Sequence, residues 1–273
     1  MTCSSCVVKN EMRQGSEPVV FNLRKDFLLL NYDCKTDVDD LHSIAAAASL
    51  IRIPRFAKLN YHAVAGAYGI QDGEYVPANS LFSLAFNDRW SDAHKDYDNS
   101  LIEVYSKVSK VLNNGGNIWI AEAGQSDFSS DLVRKIQEKM SRVHTTERIV
   151  VVQHSEWNEE MSRKENLSFL KKNSKYHKIP DGNVLHNGTP GYSTSDHVDW
   201  MSALEDEENL AIWKLATSLA DTYNGYQGRY LNKAVKAGGL DFSDFCEVHQ
   251  ILNLDKIDSC MDYFEFIKIN TDN

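Results

Sequence analysis

The sequence predicts an α/β fold with a mostly parallel open sheet flanked by helices and with a helical C-terminal part. Short apolar runs typical of buried strands alternate with segments whose apolar residues recur at helical spacing. Hydrophobic residues make up 42% and aromatic residues 10% of the 273 residues, which is enough for a substantial core. We expect residues 21–273 to form a single domain, and the polar residues 1–20 to form a flexible leader.

The first strand and helix are the best defined elements. The apolar run at 27–31 predicts a buried strand, and the alanine-rich segment at 41–51 predicts the helix that follows it. Three glycines and a proline at 181–195 predict a long loop. The other predicted elements are strands at 59–65, 117–121 and 148–153, a strand or short helix at 80–86, and helices at 101–112, 129–143, 166–173 and 198–223.

Charge and cysteine content narrow the classes of partner. A formal net charge of −10 argues against a nucleic acid or an anionic membrane, and it favours a small polar molecule or a cation. No apolar stretch approaches the roughly 20 residues of a membrane span, and the N-terminus lacks the apolar core of a secretory signal. Five scattered cysteines favour a reduced, cytoplasmic protein. Cys3 and Cys6 lack a second ligand pair at zinc-site spacing, which favours a leader over a metal site.

The most informative feature is a group of four aspartates that follows the first predicted strand. Asp33, Asp37, Asp39 and Asp40 lie within eight residues, at the carboxyl end of a strand, where open α/β sheets bind ligands. Carboxylates this close repel each other unless a cation or hydrogen-bond donors compensate them, and hard cations prefer oxygen ligands. Alternatively, Asp39 and Asp40 complement the dipole at the start of the next helix. That explanation accounts for two aspartates and leaves a divalent-metal site open for the group.

The segment 32–44, Tyr-Asp-Cys-Lys-Thr-Asp-Val-Asp-Asp-Leu-His-Ser-Ile, resembles the signature of the nucleoside hydrolases. That family has a strand followed by Asp-x-Asp-Pro-Gly-x-Asp-Asp, and a divergent nucleoside hydrolase-like branch has a form closer to this chain. The segment 117–127 sits where the family has a strand ending in a small-residue loop that offers a backbone oxygen to calcium. The segment 224–230, Asn-Gly-Tyr-Gln-Gly-Arg-Tyr, is similar to a glycine-rich stretch of the divergent branch.

Two alignments of the motif are open. Without gaps, Lys35 falls where the family has its catalytic aspartate, and its ammonium would replace the metal. With a two-residue insertion, Asn31 takes the place of the first aspartate and Asp33 that of the catalytic one. We prefer the second alignment, because the apolar run then ends at the same point relative to the motif.

The resemblance implies a calcium-dependent hydrolase that cleaves the N-glycosidic bond of a nucleoside or related ribosyl compound. Asp33 would bind the metal and take the proton of the attacking water, and Asp40 would be a second metal ligand. Asp39 would accept hydrogen bonds from the ribose hydroxyls. The family's last metal ligand is a late aspartate at a helix start. Asp196 is favoured for it because enough chain follows for the closing helices, and Asp244 competes.

The remaining candidates would contact the sugar or the base. His197 and His154 are candidates for a general acid, because the pKa of histidine lies near neutrality. Glu156 and Asn158 resemble a pair that holds ribose in the family, and Trp157 is placed to stack on a base. Each of them has an ordinary structural role as its alternative. The histidines would be hydrogen-bonded surface or core residues, Glu156 and Asn158 would be capping or surface groups, and Trp157 would be a partly buried packing residue.

Two other functions compete with the hydrolase. A catalytically inactive relative would keep the fold and bind a small ligand. Three features favour it: the motif lacks the family's Pro-Gly, Lys35 lies within it, and no residue is clearly assigned as the general acid. A phosphatase of the haloacid dehalogenase type needs Asp-x-Asp directly after the first strand, and Asp33-Cys34-Lys35 does not match. The expected partner is a small-molecule substrate rather than a nucleic acid or a membrane, and a homo-oligomer is compatible with the resemblance.

Overall fold

The computed structural model of the protein describes residues 20–184 and 186–271. The predicted leader at 1–20, including the Cys3 and Cys6 pair, therefore lies outside the described residues except for Val20. Within the described ranges, no helix is both long enough and apolar enough to cross a membrane.

The described chain alternates strands and helices through its first two thirds and is mainly helical after that. The strands are β1 (Phe27–Tyr32), β2 (Asn60–Ala65), β3 (Trp90–Asp92), β4 (Ile118–Ala123), β5 (Ile149–His154), β6 (Lys175–Ile179), β7 (Ser193–Thr194) and β8 (Leu240–Asp241). The helices are α1 (Asp39–Arg52), α2 (Asn79–Phe86), α3 (Tyr97–Asn113), α4 (Asp127–Lys139), α5 (Thr145–Arg148), α6 (Glu156–Glu160), α7 (Lys164–Asn173), α8 (Glu207–Tyr223), α9 (Lys233–Lys236), α10 (Cys246–Leu252) and α11 (Cys260–Thr271).

Six strands form one parallel sheet in the order β3-β2-β1-β4-β5-β6. The chain moves outward from β1 through β2 to β3, then returns to β4 beside β1 and proceeds to β6. The order therefore reverses between β1 and β4, and such a switch point opens a crevice at the carboxyl ends of the strands. The predicted α/β fold with a parallel sheet and a helical C-terminal part is confirmed.

The side chains of the central strands point alternately to the two faces of the sheet, so the hydrophobic core lies on both faces. Phe27 and Leu29 of β1 pack in one cluster with α3, α4 and α7, whereas Leu28 and Leu30 face the other cluster, with α1, α8, α10 and α11. Successive side chains of a strand point to opposite faces, so a strand covered on both sides is apolar throughout. This explains why β1 was recognisable as one continuous apolar run.

Several elements differ from their predictions. The segment at 80–86 is helical, and the helix predicted at 198–223 begins only at Glu207. Asp206 sets that boundary, because its carboxylate accepts a hydrogen bond from the Asn209 backbone N–H at 2.7 Å and caps α8. The edge strands β3 and β6 were missed: β3 has three residues, and β6 is partly exposed along its length.

Candidate functional site

A cavity of about 490 Å³ lies at the carboxyl ends of β1, β4 and β5. The loop after β1, the start of α6, the loop before β7 and the segment around β8 contribute to its wall. Aspartates dominate the polar side chains of this wall: Asp33, Asp37, Asp39, Asp181, Asp241 and Asp244. No lysine or arginine of the described residues forms an ion pair with any of these six.

Asp33 is the first residue after β1 and is held in place from both sides. Its Oδ1 accepts a hydrogen bond from the Lys35 backbone N–H at 2.8 Å, and its Oδ2 accepts one from Gln125 Nε2 at 2.6 Å. Burial raises the pKa of Asp33 to about 6, although these hydrogen bonds oppose the rise. The close approach of β4 requires a glycine, because a Cβ atom on Gly124 would lie 2.9 Å from the Asp33 Cβ.

Asp40 and Asp244 adjoin Asp33 and complete a group that we call the open cluster. The Asp40 carboxyl is within hydrogen-bonding contact of both the Asp33 and the Asp244 carboxyls. Its Oδ2 accepts a hydrogen bond from the Cys34 backbone N–H at 2.6 Å, whereas the buried Oδ1 has no donor. Burial raises the pKa values of Asp40 and Asp244 well above the ordinary range, and the neighbouring carboxylates raise them further. Among the described residues, no lysine or arginine forms an ion pair with these three carboxyls, and His154 Nε2 lies 3.6 Å from Asp244 Oδ1.

The open cluster offers the right type of ligand for calcium, but it does not form a complete site. Three carboxyls supply hard oxygen ligands, and the unpartnered Asp40 Oδ1 is available to a cation. In the described ranges, however, no group of three or more acidic, histidine or cysteine side chains is arranged around one ion position. The pKa values of these carboxyls are raised, so binding an ion requires them to lose protons.

A second acidic pair, Asp37 and Asp241, borders the same cavity. Asn232 bridges the pair: its Nδ2 donates to Asp37 Oδ1 at 3.1 Å and to Asp241 Oδ2 at 2.8 Å. Burial and the nearby Asp241 carboxylate raise the pKa of Asp37 to about 7. Asp39 also lines the cavity. Its pKa is raised, mainly by burial and to a smaller extent by the Asp37 carboxylate.

His154 ends β5 and faces two acidic residues. Its Nδ1 is 2.6 Å from Glu247 Oε1, and its Nε2 is 3.6 Å from Asp244 Oδ1. Burial alone lowers the pKa of His154, but the Glu247 carboxylate and its hydrogen bond outweigh burial, so the pKa is raised. Both ring nitrogens are thereby directed at protein carboxylates.

Lys35 does not occupy the open cluster. Its Nζ donates to the Gln71 carbonyl at 2.6 Å and lies 4.5 Å from the centre of the Tyr68 ring. Asn31 lies within β1 and donates to Glu122, away from the cavity. The first residue of the motif that lines the cavity is therefore Asp33, and the Lys35 side chain also borders it.

The predicted site residues fall into two groups. Asp33, Asp39, Asn158 and the alternative residues His154 and Asp244 line the cavity, with Asp40 packed against them. Three predicted residues lie on the exposed surface and outside the wall of the cavity: Asp196, His197 and Glu156.

The structure places Asp244, and not Asp196, at the cavity. Asp196 lies in a turn, where its backbone N–H donates to Thr194 Oγ1, whereas Asp244 lies in a short helical turn next to Asp40. A helix start follows both in sequence. The short helical turn at Asp244 packs on α1, and α10 after it packs on β4 and β5, which places Asp244 at the sheet.

Sequence reasoning missed three residues that shape the site. Gln125 fixes Asp33, Asn232 bridges Asp37 and Asp241, and Glu247 binds His154. Gln125 had a usable signal, because it follows β4, the neighbour of β1, at the same edge of the sheet. Asn232 and Glu247 are remote in sequence, and no local pattern distinguishes them.

Comparison with known proteins gives no further assignment. A scan against protein-family models finds no match, and searches of curated proteins and of solved structures return no significant one. The resemblance to the nucleoside hydrolases therefore depends on the motif residues alone and stays a prediction.

Proposed function

We propose that this protein is a calcium-dependent hydrolase that cleaves the N-glycosidic bond of a nucleoside or related ribosyl compound. The observation that carries the proposal is the open cluster, in which Asp33, Asp40 and Asp244 adjoin one another at the switch point of the sheet and form no ion pair with a lysine or arginine of the described residues. Buried carboxylates in such a group need a cation to be ionised together.

The residues of the cavity support a division of labour. Asp33, Asp40 and Asp244 would hold the calcium ion, which supplies a lowered pKa for water and a template for the ribose hydroxyls when bound. Asp33, fixed by Gln125, would accept the proton of the attacking water. Asp39 would accept hydrogen bonds from the sugar, and Asn158 would provide a further polar contact at the same cavity.

A second candidate is a binding protein of the same fold without turnover. One observation favours it: neither predicted histidine is free to protonate a leaving base, because His197 lies outside the cavity and His154 faces Glu247 and Asp244. A cytoplasmic location and a homo-oligomer stay predictions from the sequence for either candidate.

The test is a calorimetric titration of the chelator-stripped protein with calcium, alongside Asp40→Asn. We expect micromolar or tighter binding that Asp40→Asn abolishes, because the variant removes a charged oxygen ligand from the centre of the cluster. Calcium-loaded protein is then incubated with a panel of ribonucleosides and assayed for free ribose. Calcium binding without ribose release favours the binding protein, and no calcium binding overturns the hydrolase.

A further inference from the structure

More acidic groups border the cavity than the proposed hydrolysis uses. The open cluster would serve the cation, and Asp39 would serve the sugar. Asp37, Asp181 and Asp241 remain, and two of them, Asp37 and Asp241, form a pair in which Asp241 is only 3% exposed. Their shared donor, Asn232 Nδ2, is neutral, so it satisfies hydrogen bonds without cancelling charge. Burial and the Asp241 carboxylate raise the pKa of Asp37 to about 7, so the pair is only partly ionised near neutral pH, and a nearby cation would favour its full ionisation.

The lysines near the cavity do not neutralise this pair. The Lys35 ammonium is directed at the Gln71 carbonyl and the Tyr68 ring. Lys233 also lines the cavity but forms no ion pair with any carboxylate of the described chain. A ligand with a positive charge is the group that this wall favours, since opposite charges within a few ångströms favour the ionised carboxylates.

Two neighbouring side chains indicate a planar ring with polar substituents. Asn158 is 6% exposed and lines the cavity, yet its side-chain amide makes no hydrogen bond within the described residues. The amide of this largely buried residue borders the cavity, where it can form hydrogen bonds with polar substituents of a ligand. Trp157 lines the same cavity and is 54% exposed, so its ring is available to stack on a planar cation.

The positions of the histidines lead to the same class of substrate. A neutral base leaves as an anion unless an acid protonates it, and neither predicted histidine is free to do so. A ring that is already cationic at its glycosidic nitrogen leaves as a neutral molecule. Such a substrate needs no general acid at all.

We infer that the preferred substrate is a ribosyl compound whose base is a planar heteroaromatic cation, recognised by Asp37, Asp241 and Trp157. This inference rests on the proposed function, because it assumes a ribosyl ligand. In the reaction, the water oxygen bonds to ribose C1′ while the C1′–N bond breaks. The electron pair of that bond stays on the ring nitrogen, which becomes neutral, and the proton of the water passes to Asp33.

The test uses two C-ribosides of the same shape, which carry no cleavable C–N bond and differ by one positive charge. One bears a 1-methylpyridinium-3-yl ring and the other a 3-methylphenyl ring. Each is titrated by calorimetry into the full-length, calcium-loaded protein. We expect the cation to bind at least about tenfold more tightly, from its attraction to the carboxylates and the indole ring.

Matched variants locate the effect. Asp37→Asn is expected to reduce the preference to less than about threefold. Asp196→Asn removes the same charge outside the cavity and should leave the preference unchanged. If Asp37→Asn does not fold, Trp157→Leu replaces it, since this half-exposed ring can be removed without disturbing the core, and it should also lower the preference.

The inference would be overturned if the two ribosides bound with equal affinity, if the neutral one bound more tightly, or if neither bound. A preference for the cation that survives both cavity variants would overturn it as well. The proposed function is judged separately, since it depends on release of ribose from N-ribosides. A protein that prefers the cationic riboside but releases no ribose would support the inferred ligand class and contradict the hydrolase.

Discussion

Two buried acidic sites lie near the carboxyl ends of β1 and β4 but have opposite surroundings. The open cluster of Asp33, Asp40 and Asp244 adjoins the cavity. The other, which we call the closed site, consists of Glu122, Asn31 and Ser129 and lies between the sheet and α4. Asn31 and Glu122 are partners in the register of the two strands, so the sites are only a few residues apart along the chain.

Hydrogen bonding separates the two sites more clearly than burial does. In the closed site, Glu122 Oε1 accepts from Asn31 Nδ2 at 2.9 Å, and Oε2 accepts from the Ser129 hydroxyl. In the open cluster, the partners of the carboxyls include other carboxyls. Burial raises carboxyl pKa values at both, to about 8 for Glu122. A buried acid therefore indicates a binding site where it faces a cavity and has other carboxyls among its neighbours.

The comparison predicts the largest effect for Asp244→Asn. Calcium affinity should fall by more than the roughly 10–100-fold that loss of an outer partner of a metal site costs, because Asp244 is expected to bind the ion itself. Asp196→Asn is the matched control, since it removes the same charge on the exposed surface. Calorimetric calcium titrations of both variants show which aspartate binds the ion. The melting temperature of each variant, measured without calcium, shows whether it is folded. Loss of affinity in Asp196→Asn instead would restore the ligand favoured by sequence.

Glu122→Gln should affect stability rather than calcium binding. The pKa of Glu122 is raised from 4.5 to about 8 in the folded protein, so the unfolded chain releases its proton first. The contribution of Glu122 to the free energy of unfolding therefore declines as pH rises through this interval, by about 1.4 kcal/mol for each pKa unit. Glutamine keeps the shape without the ionisation.

Thermal melting at several pH values measures this difference. The melting temperatures of the original protein and Glu122→Gln should be similar near pH 4 and should diverge in favour of the variant up to about pH 8. Calcium affinity should be unchanged at every pH. A variant that melts lower at pH 8, or that loses calcium binding, would show that the closed site is not purely structural.

Lys35→Met should have the smallest effect. The Lys35 ammonium contacts Gln71 and Tyr68 and acts on the Asp33 carboxyl only through space, lowering its pKa. Removing one charge at this partly exposed position should change calcium affinity by no more than about threefold, because such interactions are weakened by solvent. A gain of 100-fold in the same titration would instead mean that the ammonium occupies the cation position, as the alignment without gaps implies.

The sequence alone determined the fold class and the first half of the site. Apolar runs shorter than a helix, followed by helical spacing, require a parallel sheet covered on both faces, and the structure has that architecture. The acidic residues after β1 were visible because they are contiguous in sequence. Short edge strands such as β3 and β6 were not, because neither has the long apolar pattern of a buried strand.

Tertiary structure alone decided which distant residues complete the site. Asp196 and Asp244 both precede helical segments and carry the same charge, so local pattern gives no reason to choose Asp244. Packing of the Asp244 turn on α1, and of α10 on β4 and β5, brings Asp244 to Asp40, whereas Asp196 lies in an exposed turn. Asn232 and Glu247 likewise reach Asp37 and His154 only through long-range packing. Local sequence encodes backbone conformation and burial, whereas contacts between distant segments depend on how the whole chain closes.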